Sequence, residues 1–347
     1  MLKVLLGLLV LLAIAFVTAT WWVSRPVFSE TRGDFAPGIA DPAQALTFAR
    51  SADGLIWVTG HTGDAVTGIN LTKIHGEAAT ADLIDFVSAL DPALPAPAGE
   101  TESFPLSALN RPLDYAFPHI AAGTNFKEHA DEIYSDDPPF LFPKLVEAGR
   151  WQDPVPFTSR LDFEAELCLF PLADIDSPDE LPDFGLVLCN DFTDRWTLVK
   201  ELEFGGPLGL TGFASGKGRA GYLPTGYLVV IPRSPDFYLS LELSLYLNDH
   251  LRQRFAMRDA ILTIEGIIAQ AFAQRDTPFQ KGDEAVSLMP HGNIPRGTLI
   301  LTGTAAGVIF KPFNIWYQGF YLEPGDTVRT EGTWLGHLEN NVAVGGG

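Results

Sequence analysis

The sequence predicts a mainly β, α+β protein, and three observations carry that prediction. Glycine and proline number 33 and 26 among 347 residues, well above the roughly 12% usual for the pair, which favours short strands joined by tight turns. Residues 239–247 alternate strictly, with Leu239, Leu241, Leu243, Leu245 and Leu247 against Ser240, Glu242, Ser244 and Tyr246; period two predicts a sheet with one buried face. The runs GLVLCND, YLVVIP, TLILTGT and DTVRTEGTW are bounded by Gly, Pro or Asp and read as further strands. Hydrophobic content of 46% with only 19% charged residues excludes a disordered chain. Twenty-three Lys and Arg against 43 Asp and Glu leave a net charge of −20, the wrong sign for a nucleic-acid groove. A divalent cation, or an anion neutralised by one, is the better partner.

Taken in order, residues 4–23 carry no charge and end at Trp21 and Trp22. Twenty apolar residues at about 1.5 Å each match a hydrocarbon core of roughly 30 Å, with the aromatics at its edge. This predicts a single-pass membrane anchor over residues 1–28, or a cleaved signal peptide ending near Ala19. Lys3 on one side balances Arg25 and Arg32 on the other, so neither orientation is favoured. Residues 31–115 read as a small N-terminal α/β module. In it, Asp41-Pro42-Ala43-Gln44 predicts a helix start, and Thr80 precedes a helix around Leu83, Ile84, Phe86, Val87 and Leu90. The segment 91–102, DPALPAPAGETE, reads as a linker. Residues 116–347 then form the strand-rich domain, interrupted by one amphipathic helix with Ile261, Ile264, Ile268 and Phe272 on one face. Only Cys168 and Cys189 occur, too few for a disulfide framework; Cys189 reads as a small core residue, and the compartment stays open.

The chemistry gathers in four segments. LDFEAEL sets Asp162, Glu164 and Glu166 two apart, on one face of a strand, with Phe163, Ala165 and Leu167 expected on the buried face. A bare acidic pair of this kind is more often a solvated face, but GLVLCNDFTDRW ends an apolar strand at a further acid, Asp191. Converging carboxylates repel, and a hard cation, Mg²⁺ or Mn²⁺ before Zn²⁺, turns that repulsion into attraction. On this view, neutralising one acid relieves strain in the metal-free protein. GTNFKEHADE places His129 and Glu132 at i, i+3 on a helical turn, either a surface pair or a general base with its orienting acid. Lys217 lies between glycines in GFASGKGRAGYLPTG, and LTGTAAGV lacks the Gly-Lys-Ser/Thr element of a phosphate loop.

In order and spacing, GTNFKEHADE, FLFPK, LDFEAEL, LCNDFTDR, GKGRAGYLPTG, LNDHLRQ, LTGTAAGV and LEPGDTV resemble the fumarylacetoacetate hydrolase family, from about Ala116 to the C-terminus. The resemblance implies a mixed β-sandwich roll and a homodimer. It implies Glu164, Glu166 and Asp191 as ligands of Mg²⁺ or Mn²⁺, His129 with Glu132 as a water-activating dyad, and Lys217 as the active-site lysine. Arg195 and Thr304 are implied as substrate contacts. Leu198 stands where many relatives with this dyad carry glutamine, and the stretch between Asp191 and Lys217 is long and rich in Gly and Leu, so the pocket wall is expected to differ. The activity implied is hydrolysis of a carbon–carbon bond in an acylpyruvate-like or 1,3-dicarbonyl acid. The alternatives are a 2-oxo acid decarboxylase or hydratase, or a non-catalytic membrane-tethered binding protein.

Overall fold

A computed structural model describes residues 2–24, 30–33, 37–90 and 98–344. Arg25 and residues 91–97 of the expected linker lie outside the described residues; the last linker residues, Thr101 and Glu102, belong to a strand. Two sheets dominate. The larger runs in the order Thr101–Pro105, Ala65–Asn70, Gly54–His61, Ala45–Ser51, Val229–Pro232, Phe184–Asn190, Ala165–Pro171, Thr298–Leu301, Ala116–Gly123 and Phe140–Lys144, with Leu109–Asn110 paired beside Ala45–Ser51. The second holds His250–Ala256, Glu242–Leu247, Thr327–Gly332, Gly336–Ala343 and Val155–Pro156. Most pairs are antiparallel; Thr298–Leu301 with Ala116–Gly123, and Gly336–Ala343 with Val155–Pro156, are parallel.

Both faces of the large sheet are covered, which explains its apolar strands. In Ala165–Pro171, Leu167 and Leu169 point into a core shared with Leu243, Leu245, Val328 and Leu338 of the second sheet. Cys168 and Phe170 point the other way, against Phe48, Trp57, Phe142 and Val187. A strand buried on both faces needs a continuous apolar run rather than an alternating one. The expectation of a single buried face for LDFEAEL is therefore corrected: Asp162, Glu164 and Glu166 are buried too.

Local signals met tertiary competition at several points. Asp41 caps a turn, its side chain accepting from Ala43 N, but the chain then enters the strand Ala45–Ser51 instead of a helix, because that strand pairs on both sides. The helix Leu83–Ser88 is capped by Asp82 rather than Thr80. The alternating run is a strand only from Glu242 to Leu247; Pro235–Ser240 winds into a 3-10 helix, begun by Ser234 accepting from Asp236 N with Pro235 presetting the backbone. The helix Ile264–Ala273 buries Ile264, Ile267, Ile268 and Ala271, while Ile261 precedes it and is half exposed.

Cys168 and Cys189 form a disulfide across the neighbouring strands Ala165–Pro171 and Phe184–Asn190. This corrects the reading of Cys189 as a free core residue. The crosslink lies two residues beyond Glu166 and two before Asp191, so it ties together the two strands that end in the acidic cluster.

The helix Leu2–Ser24 contains one span, Lys3–Val23, long and apolar enough to cross a membrane and not buried against the rest of the protein. A signal sequence has the same make-up. Its C-terminal part touches the domain, with Thr20 Oγ1 2.9 Å from the Tyr317 hydroxyl and the Trp21 ring 6.0 Å from Phe320.

Candidate metal centre and active site

Glu164, Glu166 and Asp191 offer oxygens that lie within 4.8 Å of one another, and all three side chains are buried. The pairing that achieves this is local: Ala165 faces Asn190 across the antiparallel ladder, and Asp191 N donates to Glu164 O at 2.9 Å. Asp162, the third acid of the sequence pattern, does not join them. It accepts hydrogen bonds from Phe163, Ile309 and Phe310 backbone N–H groups and from Arg195 Nε, so its oxygens are already saturated.

Three of the four buried carboxylates are met by cations, Glu166 being the exception. Lys217 Nζ donates to Glu164 Oε2 at 2.7 Å, Asp191 Oδ2 at 2.8 Å and Thr193 Oγ1 at 2.8 Å. Arg195 bridges Asp162 and Glu164. Lys144, which the sequence reading passed over, donates to Asp191 Oδ1 at 2.5 Å, Lys217 O at 2.6 Å and Tyr222 O at 2.9 Å. Its signal was present in FLFPK, a charge closing a strand whose every residue is buried; such a charge requires a partner.

The electrostatics separate the acids. Burial opposes ionisation of Glu164, but Lys217 and Arg195 outweigh it and hold the carboxyl below its usual range. Glu166 has no such neighbour in contact: burial, then Asp191 and Glu164, push it well above that range. Its Oε2 accepts from Gly303 N at 2.7 Å, whereas Oε1 is buried without a hydrogen-bond partner. Burial disfavours the Lys217 ammonium, yet Asp191 and Glu164 more than compensate and keep it charged. An all-oxygen donor set that includes one orphaned buried oxygen fits a hard divalent cation.

His129 sits on the short helix Lys127–Glu132 and is buried, so it is not a surface residue. Nδ1 lies 3.7 Å from Glu132 Oε2 and has no hydrogen-bond partner. Glu132 is held from behind by Gly307 N at 3.0 Å and Lys311 Nζ at 3.7 Å. Gly307 adopts φ +110°, and a Cβ there would collide with the Arg252 carbonyl, so only glycine brings this N–H to Glu132. Such pairs often tighten only when substrate arrives.

His129, Glu164, Arg195, Lys217 and Thr304 line one cavity of about 120 Å³, and Glu164 links it to the acidic cluster it forms with Glu166 and Asp191. Thr304 is braced from two sides. Its hydroxyl donates to Ala165 O at 2.8 Å and accepts from Gln253 Nε2 at 2.8 Å, which fixes it in the cavity wall.

Residues 118–343 match the family model described as the fumarylacetoacetate (FAA) hydrolase C-terminal domain. No curated protein matches the chain in sequence. Among solved structures, it is similar to fumarylacetoacetate hydrolase from psychrophilic Exiguobacterium antarcticum, at 18% identity and TM-score 0.58 over 87% of this chain and 99% of that one. It is similar to maleylpyruvate hydrolase from Sphingobium sp. SYK-6, solved with manganese(II) and pyruvate, at 21% identity and TM-score 0.53 over 86% and 100%. The third is 2-hydroxyhepta-2,4-diene-1,7-dioate isomerase from Mycobacterium marinum, at 20% and 0.53 over 88% and 100%. These likenesses establish the shared fold.

Proposed function

We propose, on the premise that this chain belongs to the fumarylacetoacetate hydrolase family, that it is a metal-dependent hydrolase cleaving a carbon–carbon bond in an acylpyruvate-like or 1,3-dicarbonyl acid. The observation that carries this reading is the orphaned, buried oxygen of Glu166, clustered with Glu164 and Asp191, together with a buried histidine that lines the same cavity as Glu164. Glu164, Glu166 and Asp191 would hold Mg²⁺ or Mn²⁺, which when bound supplies Lewis acidity for two neighbouring substrate oxygens. His129, oriented by Glu132, takes a proton from water, and the resulting hydroxide adds to the distal carbonyl carbon. The carbon–carbon bond then breaks: the acyl fragment leaves as a carboxylic acid, and the departing carbon keeps the electron pair and takes a proton. Arg195, fixed by Asp162 and Glu164, presents positive charge to the substrate carboxylate. Lys217 steadies developing negative charge from the same side.

Product analysis tests the proposal. With Mn²⁺ and a panel of acylpyruvates and oxaloacetate, mass spectrometry is expected to find two carbon fragments and incorporation of one oxygen from labelled water. Release of CO₂, water addition, or a rearranged substrate of unchanged mass would replace hydrolysis by lyase or isomerase chemistry.

The N-terminal helix is proposed as a membrane anchor, because its apolar face continues past Ala19 to Trp22 and Val23. The buried disulfide favours placing the domain on the oxidising side. The full chain is expected to resist alkaline carbonate extraction, and a chain beginning near Ser29 to be soluble and active. A mature protein starting at Thr20 would establish a cleaved signal instead.

A further inference from the structure

We infer that the acid accepted by this site ends in an uncharged, apolar acyl chain, held by a wall of Phe140, Phe142, Leu198, Leu202, Leu208 and Phe213. The inference rests on the reading of the site as a 2-oxo acid pocket and specifies what lies beyond the reacting atoms. All six residues line the same cavity as His129, Glu164, Arg195 and Lys217.

The lining divides into two linked clusters. Arg195 and Lys217 each donate a charge-assisted hydrogen bond to Glu164. Opposite in character, Phe140 and Phe213 meet at 4.8 Å between ring centres, and Phe142 and Phe213 at 5.2 Å. The junction is Lys217 Nζ, 5.6 Å over the Phe142 ring. Much of the wall comes from the Gly- and Leu-rich stretch between Asp191 and Lys217. Leu198 is buried on the helix Arg195–Glu201, and the loop after it is pressed onto the Phe140 strand at Gly209. That glycine has φ +89°, and a Cβ there would collide with Phe140 and the Leu141 carbonyl. The wall is therefore built before any ligand arrives.

Among the described residues of the lining, no permanent cation is left for a second carboxylate. Arg195 and Lys217 are the cations in the lining, and each already faces site carboxylates. A terminal carboxylate against the phenylalanines and leucines would lose its hydration without a partner, at a cost on the order of 10²-fold or more in affinity. A hydrocarbon end gains instead, by about fourfold for each methylene transferred from water.

The test uses the intact protein loaded with Mn²⁺ and two probes of equal carbon number, 2-oxohexanoate and 2-oxoadipate, titrated calorimetrically. The inference expects 2-oxohexanoate to bind at least about 10²-fold tighter, and Leu202→Arg or Leu208→Arg, both at half-buried positions, to shift the preference at least tenfold toward 2-oxoadipate. Equal or tighter binding of 2-oxoadipate to the parent overturns it. The two readings fail separately: preference for 2-oxohexanoate without cleavage of any acylpyruvate removes the hydrolase assignment alone, while cleavage with preference for 2-oxoadipate removes the apolar-chain inference alone. Binding of neither probe removes both.

Discussion

Glu166→Gln is expected to abolish activity while leaving the metal-free protein as stable as the parent or more so. Glu166 offers the orphaned oxygen of the cluster and touches no ammonium or guanidinium. Losing its charge removes one source of repulsion with Glu164 and Asp191 and strands no cation. Glu164→Gln and Asp191→Asn should also cost activity, on the order of 10³-fold or more given the several kcal/mol of charge stabilisation a catalytic metal supplies. Their stability should behave oppositely. Glu164 balances Lys217 and Arg195, and Asp191 balances Lys144 and Lys217, all five side chains being nearly inaccessible. Removing one partner of a buried pair costs about 3–5 kcal/mol because the other charge stays buried. The simple expectation from charge spacing, that neutralising any of these acids relieves strain, thus applies to Glu166 and is reversed for the other two. Thermal unfolding of the three metal-free variants, with Mn²⁺ affinity by calorimetry, checks this. Parent-like Mn²⁺ binding in all three would sink the assignment of the site.

The second large effect belongs to the dyad. His129→Ala should lower kcat on the order of 10²–10⁴-fold with Mn²⁺ still bound. Glu132→Gln should do the same, since the amide can still accept from Gly307 N but no longer stabilises an imidazolium. The double variant should be little worse than either single one, as residues acting in one step are not additive. The acidic limb of the pH–rate profile should vanish in the His129 variant, because that limb reflects protonation of the base. Lys217 is a poor substitute as base: Asp191 and Glu164 raise its affinity for the proton, and its three hydrogens already lie on protein oxygens. Additive losses, or a parent-like rate in either single variant, would remove the dyad.

Short-range features of the sequence were sufficient for much of this. Period-two alternation located the strand Glu242–Leu247, apolar runs located the central strands, and spacing put Glu164 and Glu166 on one face with His129 one turn from Glu132. Each depends only on residues a few positions apart, whose relative directions the backbone itself dictates. Tertiary structure decided the rest. Asp162 has the same spacing as its two neighbours, yet Ile309 and Phe310 N–H groups claim it from 147 and 148 residues away. Lys144 reaches Asp191 across 47 residues, and the disulfide joins residues 21 apart on adjacent strands. The apolar wall assembles from the strand Phe140–Lys144 and the loop before Lys217, segments that meet only because the sheet brings them together. Local spacing sets where a side chain points; which distant group it meets, and therefore whether a carboxylate binds a metal or an arginine, is set by strand order and packing.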